Sequence, residues 1–120
     1  MKKQLLSFIL FFATSFLVAQ SFNQPSIYNN VCDDNNDGFA SFWLGEISAE
    51  ILTQVDAQNY SITHHETQMD AVSNTNALSS PYTNILPYQQ TLFARIVNNT
   101  TGEITYVSYP LNVNPAPSSP

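Results

Sequence analysis

This sequence predicts an all-β domain built as a two-sheet sandwich, and three observations carry that prediction. Apolar and polar residues alternate with a period of two along Leu92–Val97 and again along Val107–Val113, the pattern of strands with one buried face. The residues filling such runs are mostly aromatic or β-branched, types that suit a pleated, half-buried surface. Once an N-terminal leader is set aside, about 100 residues remain, enough for one modest core and too few for two. Short strands at these intervals in that length suit a sandwich, with one or two short helical turns beside them.

The leader comes first. Lys2 and Lys3 form a positive start, Leu5–Val18 is apolar apart from Ser7, Thr14 and Ser15, and small Ala19 follows. That order predicts a secretory signal peptide over 1–20, cleaved after Ala19 or Gln20. Its apolar run is short of the roughly 20 residues a spanning helix needs, so no membrane insertion is expected after cleavage. Residues 21–113 then form one module, and 114–120 (NPAPSSP) read as a Pro/Ser linker.

Within the module a first strand is expected at Ile27–Val31, followed by a turn at Cys32–Gly38 (CDDNNDG). Ala40, Phe42 and Leu44 alternate with Phe39, Ser41 and Trp43, which predicts a strand. Ile47, Ile51, Leu52 and Val55 recur at helical spacing behind a capping Ser48, which predicts a helix over about 48–54. Tyr60, Ile62 and His64 alternate again. Thr67-x-x-Asp70 resembles a capping box and predicts a helical turn, whereas 74–87 reads as an irregular crossing. Asn98–Gly102 (NNTTG) joins the last two runs as a hairpin. Pro110 lacks an N–H, so its strand is expected at a sheet edge or with a bulge.

Composition excludes several functions. Beyond the leader, Arg95 is the sole Lys or Arg against nine carboxylates, which rules against nucleic acid as a partner. Cys32 is the only cysteine, so no internal disulfide can form. A buried thiol is expected for it rather than an intermolecular pair.

Candidate site residues are few. His64-His65-Glu66 is the nearest approach to a catalytic or zinc cluster, but strand neighbours face opposite ways and the spacing lacks His-x-x-x-His. Its polar groups are expected to face water at a strand end. Trp43, Tyr28, Tyr82, Tyr88 and Tyr106 offer a conceivable glycan surface, although core or edge cover is expected of Trp43. Asp33–Gly38 reads D-x-N-x-D-G. It puts oxygen ligands for calcium at Asp33, Asn35 and Asp37, with the Phe39 carbonyl as a further ligand. An EF-hand is excluded because Leu44 stands where its bidentate Glu belongs, and an Asx-rich turn without metal is the alternative.

Several segments together carry a family resemblance: Val31–Phe42 (VCDDNNDGFASF), Tyr60–Gln68 (YSITHHETQ), Ser80–Asn84 (SPYTN), Gln90–Asn98 (QTLFARIVN) and Thr100–Gly102. In this order they resemble the repeated extracellular modules of large Bacteroidetes surface proteins exported by type IX secretion and associated with gliding and adhesion. The resemblance covers most of 27–113. It implies an immunoglobulin-like antiparallel β-sandwich that builds a stalk or adhesive surface and has no enzyme activity. Such modules usually carry a second cysteine just after the Thr-Thr-Gly turn, where this chain has Glu103, so the resemblance implies that the module's disulfide is lost here. They also usually occur in series with a C-terminal sorting domain, whereas this chain ends in a linker. The expected function is therefore a secreted or cell-surface adhesion or spacer module contacting neighbouring modules or surface glycans and proteins, with a secreted carbohydrate-binding module as the rival.

Overall fold

The computed structural model describes residues 22–115. Among them are strands β1 (Asn30–Asp33), β2 (Ser41–Phe42), β3 (Tyr60–His65), β4 (Tyr82–Thr83), β5 (Gln89–Asn98) and β6 (Ile104–Pro115), and helices α1 (Leu44–Ile51) and α2 (Gln68–Ser73). One sheet runs in the order β1-β6-β5-β3, and β2 pairs with β4 in a second. The fold is all-β and sandwich-like, as the alternation predicts. The signal segment 1–20 and residues 116–120 of the linker lie outside the described residues, and Asn114 and Pro115 close β6.

The β5–β6 hairpin organises the core. Leu92 lies across from Tyr109 and Ala94 from Val107, so the even residues of β5 and the odd residues of β6 share one face. Leu92, Ala94, Ile96, Leu111 and Val113 on that face are buried and Val107 is half-buried. Opposite them stand Phe42, Leu44, Ile47, Ile51, Leu52 and Tyr82, so the second layer is the small sheet together with α1. The connecting turn closes on Asn98, whose Oδ1 accepts the N–H groups of Thr100 (2.9 Å) and Thr101 (3.2 Å). Gly102 supplies the positive φ of 81° that the turn requires.

The structure moves several predicted elements. The first strand forms at Asn30–Asp33 rather than Ile27–Val31, so Cys32 belongs to a strand and not to the turn. It also pairs parallel with β6, whereas a wholly antiparallel sandwich was expected. The strand predicted around Phe42 is only two residues long because α1 begins at Leu44. Ser48 is no cap: its hydroxyl bonds to His64, and the Leu44 N–H is met by Ser80 Oγ at 2.9 Å from across the fold. The irregular crossing 74–87 contains β4. The capping box behaves as predicted, since Thr67 Oγ1 accepts the Asp70 N–H at 3.1 Å.

Pro110 sits in an interior strand, contrary to the edge expectation, yet the physical reason behind that expectation holds. β1 covers only Asn112–Pro115 of β6. The Ser108 and Pro110 carbonyls point to the uncovered side, where they accept the side-chain amides of Gln24 (2.9 Å) and Asn29 (2.8 Å). Pro110 thus directs its missing donor to a stretch where no strand of the described residues needs it.

Candidate functional site

Cys32 is exposed on β1, which corrects the expectation of a buried thiol. The period of two explains it: Asp33 turns inward and is fully buried, so its neighbour must turn outward. Several contacts hold β1 in place. The Glu50 carboxylate, from the last turn of α1, accepts the backbone N–H groups of Ser26 (2.9 Å), Ile27 (2.9 Å) and Tyr28 (2.8 Å). Asn112 Nδ2 donates to Asn30 Oδ1 at 3.0 Å. Sequence reasoning missed Glu50 and Asn112 as positioning residues, because their partners lie far along the chain and no local pattern marks them. Hydrogen bonds to a charged group contribute about 1.5–3 kcal/mol, so Glu50→Ala is expected to lower unfolding free energy by about that much. Denaturant melts and faster amide exchange at 26–28 check this, and a change under about 0.5 kcal/mol would contradict it.

The loop after β1 closes on its own acceptors. Asp33 Oδ2 accepts the Gly38 N–H at 2.7 Å, and its Oδ1 accepts the Asp37 N–H at 3.2 Å. Asn35 Oδ1 meets the same Asp37 N–H at 3.4 Å, and Asp37 Oδ1 accepts the Phe39 N–H at 2.9 Å. These bonds give the buried Asp33 carboxylate the polar partners that burial demands. Gly38 has a φ of 83°, and a Cβ there would come within 2.8 Å of Pro87 Cβ, so the loop needs a glycine at this point. The predicted oxygen donors Asp33, Asn35 and Asp37 therefore share one turn, which backbone N–H groups already stabilise. Among the described residues no three His, Cys, Asp or Glu side chains form a group able to hold a metal.

His64 and His65 are both buried, which overturns the expectation that they face water. They do point to opposite faces, as strand geometry requires. His64 enters the core, where Nδ1 bonds to Tyr109 Oη and Nε2 to Ser48 Oγ, each at 2.7 Å. Burial, with the neighbouring His65 second, holds its pKa down at about 4, so the ring is neutral at pH 7. A neutral imidazole offers one donor and one acceptor, and two hydroxyls satisfy both. On the other face α2 and the chain behind it cover His65, whose Nδ1 lies 2.8 Å from the Thr75 carbonyl. Glu66 accepts the Tyr82 hydroxyl at 2.6 Å, and Gln90 Nε2 donates to that hydroxyl at 2.8 Å. Burial first, and then this bond to Glu66, push Tyr82 up to about 12. These are satisfied interior groups that tie the two layers together.

Of the aromatic candidates, Tyr82 is buried, whereas Tyr28, Tyr88 and Tyr106 are exposed. Trp43 is 58% exposed, against its expected role as core or edge cover, because it directly precedes the first turn of α1 and Leu44 takes the inward place. Arg95 is engaged by the Ala71 (3.0 Å) and Val72 (3.2 Å) carbonyls at the end of α2. This leaves Cys32 as a free thiol displayed on an edge strand that these contacts anchor.

Fold and site together define a small β-sandwich-like module with an exposed edge-strand cysteine. Residues 28–117 match the family model of the FIDD domain, the Flavobacterium inter-domain disulphide bond domain, and the chain belongs to that family. No curated protein and no solved structure matches the chain significantly. Membership points to a non-catalytic structural or linking module of an extracellular or secreted, Bacteroidetes-type protein. Among the described residues no helix is long and apolar enough to cross a membrane.

Proposed function

We propose that this module is an exported spacer covalently tied to a neighbouring domain through Cys32. The observation that carries the reading is the position of that thiol: the sole cysteine stands exposed on an edge strand in a domain whose family is described by an inter-domain disulphide. Joining two thiols releases two protons and two electrons, which a disulfide oxidant of the export compartment takes up. Cys32→Ser is expected to abolish the redox-sensitive gel shift of the exported protein. At an exposed position it should change the module's own stability by less than about 0.5 kcal/mol. A shift that survives the substitution would remove the reading.

The proposal includes export through the 1–20 signal segment, with type IX secretion and a stalk or adhesive role as implied by the resemblance. N-terminal sequencing of exported material is expected to begin at Gln20 or Ser21, and material beginning at Met1 would contradict cleavage. The exposed indole of Trp43 favours one second reading, glycan contact. A glycan array whose signal disappears with Trp43→Ala would support that reading, and a blank array would remove it.

Calcium is proposed for Asp33, Asn35, Asp37 and the Phe39 carbonyl on the strength of the oxygen-rich spacing. An ion would compete with the loop's N–H groups for the Asp33 carboxylate. Extracellular calcium modules bind at about 0.1–1 mM, so about 1 mM calcium is expected to stabilise the fold by roughly 0.4–1.4 kcal/mol. Identical melts in calcium and in chelator would eliminate the ion and leave the hydrogen-bonded turn.

A further inference from the structure

The geometry points to a mode of reception for the partner: a short extended segment of the neighbouring domain, carrying Lys or Arg beside its cysteine, adds as a strand along the open edge of β1. This inference rests on the Cys32 linkage proposed above and adds the chemistry of what Cys32 meets.

The backbone supplies the first argument. β1 is an outermost strand of its sheet. In a parallel ladder, successive residues turn their peptide groups alternately toward and away from the neighbouring strand. The Asn112 N–H donates to the Asn29 carbonyl at 2.8 Å, and Asn30 stands in register with Asn112. Asn29, Val31 and Asp33 therefore bond toward β6, while Asn30 and Cys32 present their peptide groups to the other side. The Asn30 N–H is taken locally by the Ile27 carbonyl at 3.2 Å. Both backbone groups of Cys32 face a side where no strand of the described residues pairs.

That side has room and a matching wall. An open cleft of about 360 Å³ separates β1 from the chain entering β2, lined by Val31, Cys32, Asp34, Phe39 and Ser41 among others. Edge strands are usually blunted by lysine, proline or a covering segment. β1 reads Asn-Val-Cys-Asp and has neither lysine nor proline. Strand addition takes its affinity from main-chain hydrogen bonds and its selectivity from alternate side chains. Here Val31 and the 38%-exposed Phe39 provide the apolar wall.

Charge selects the occupant. Asp34 lines the cleft, and Asp37 is exposed in the same loop. Arg95, the sole Lys or Arg among the described residues, is committed to the α2 carbonyls. A cationic segment fits this rim. A second copy of the chain would bring the same carboxylates to it and is disfavoured by repulsion.

The test uses a short peptide of alternating β-branched residues with a central cysteine and flanking lysines, activated as its thionitrobenzoate disulfide. The Cys32 thiolate, its proton released to buffer, attacks the peptide sulfur. A new disulfide forms, the peptide–thionitrobenzoate bond breaks, and the coloured thiolate leaves with the electron pair. The lysine peptide is expected to react about tenfold faster than activated cysteine alone, with part of the gain lost in high salt. Methylating alternate peptide nitrogens in one register should return the rate to that of the control, while the other register keeps the gain. Equal rates for both methylated registers, or for lysine and aspartate peptides, would overturn the inference. Faster formation of Cys32–Cys32 dimers under the same conditions would overturn it in favour of a second copy. If Cys32 fails to react even with activated cysteine, the linkage reading falls as well. Fast control reaction without peptide selectivity defeats strand addition alone.

Discussion

Ile96→Ala is expected to lower the unfolding free energy by about 2–5 kcal/mol. Ile96 is 1% exposed on the inner face of β5, in register with Ile62 on one side and Thr105 on the other. Its loss removes apolar contact and leaves a cavity that close-packed neighbours fill only in part. A domain of this size has a margin of about 5–15 kcal/mol, so the variant is expected to melt well below the wild type. The adjacent Val97, half-buried on the outer face, is the matched control and should cost less. A loss under about 1 kcal/mol at Ile96 would mean that this face is not the core.

The second large effect is acid sensitivity seated at His64. Its folded pKa is about 4, below the ordinary 6.5, because burial disfavours the charged ring. Between those values the unfolded chain binds the proton and the folded one does not, so stability falls as pH falls. The contribution is fully present above about pH 6.5, declines through the window down to about pH 4, and amounts to about 3 kcal/mol. His64→Gln keeps one hydrogen-bond donor and one acceptor for the Tyr109 and Ser48 hydroxyls but cannot take up the proton. Its stability is expected to lose that much less than the wild type between pH 7 and 4, since both proteins share the carboxylate contributions. Parallel pH profiles would show that His64 takes up its proton alike in the folded and unfolded chain, and so is not held neutral by burial.

The sequence makes this fold legible where local pattern and burial coincide. The β5–β6 hairpin reads directly, because its period-two alternation spans the length of the core and Asn98 and Gly102 mark its turn. The capping box at Thr67 reads for the same reason, since its bond is local. What fails to read depends on partners distant in sequence. Ser48 has the composition of a cap but serves His64, while Ser80 supplies the bond to the true first turn of α1. His65 looks exposed until α2 and Thr75 cover the outer face. Cys32 has the most misleading composition, since free cysteine is usually buried. Its exposure follows from the inward turn of Asp33, and that follows from the bonds of Asp33 to Asp37 and Gly38. The spacing D-x-N-x-D-G that suggests calcium also builds an Asx-rich turn, so one pattern serves two chemistries.

The polar interior connects the core to the strand that carries Cys32. His64, Tyr109 and Ser48 link β3, β6 and α1, and Glu50 then ties α1 to the lead-in of β1. The strand bearing Cys32 is thereby held to the core through α1 as well as through its ladder with β6, and a covalent link at Cys32 would act on the body of the sandwich. The most direct measurement is disulfide mapping of the exported protein, with free thiols alkylated in place before digestion without reductant. The proposed Cys32 linkage requires that the peptide containing Cys32 be recovered joined to a cysteine peptide from a neighbouring domain. Recovery of Cys32 as an alkylated free thiol from folded, exported protein would contradict it.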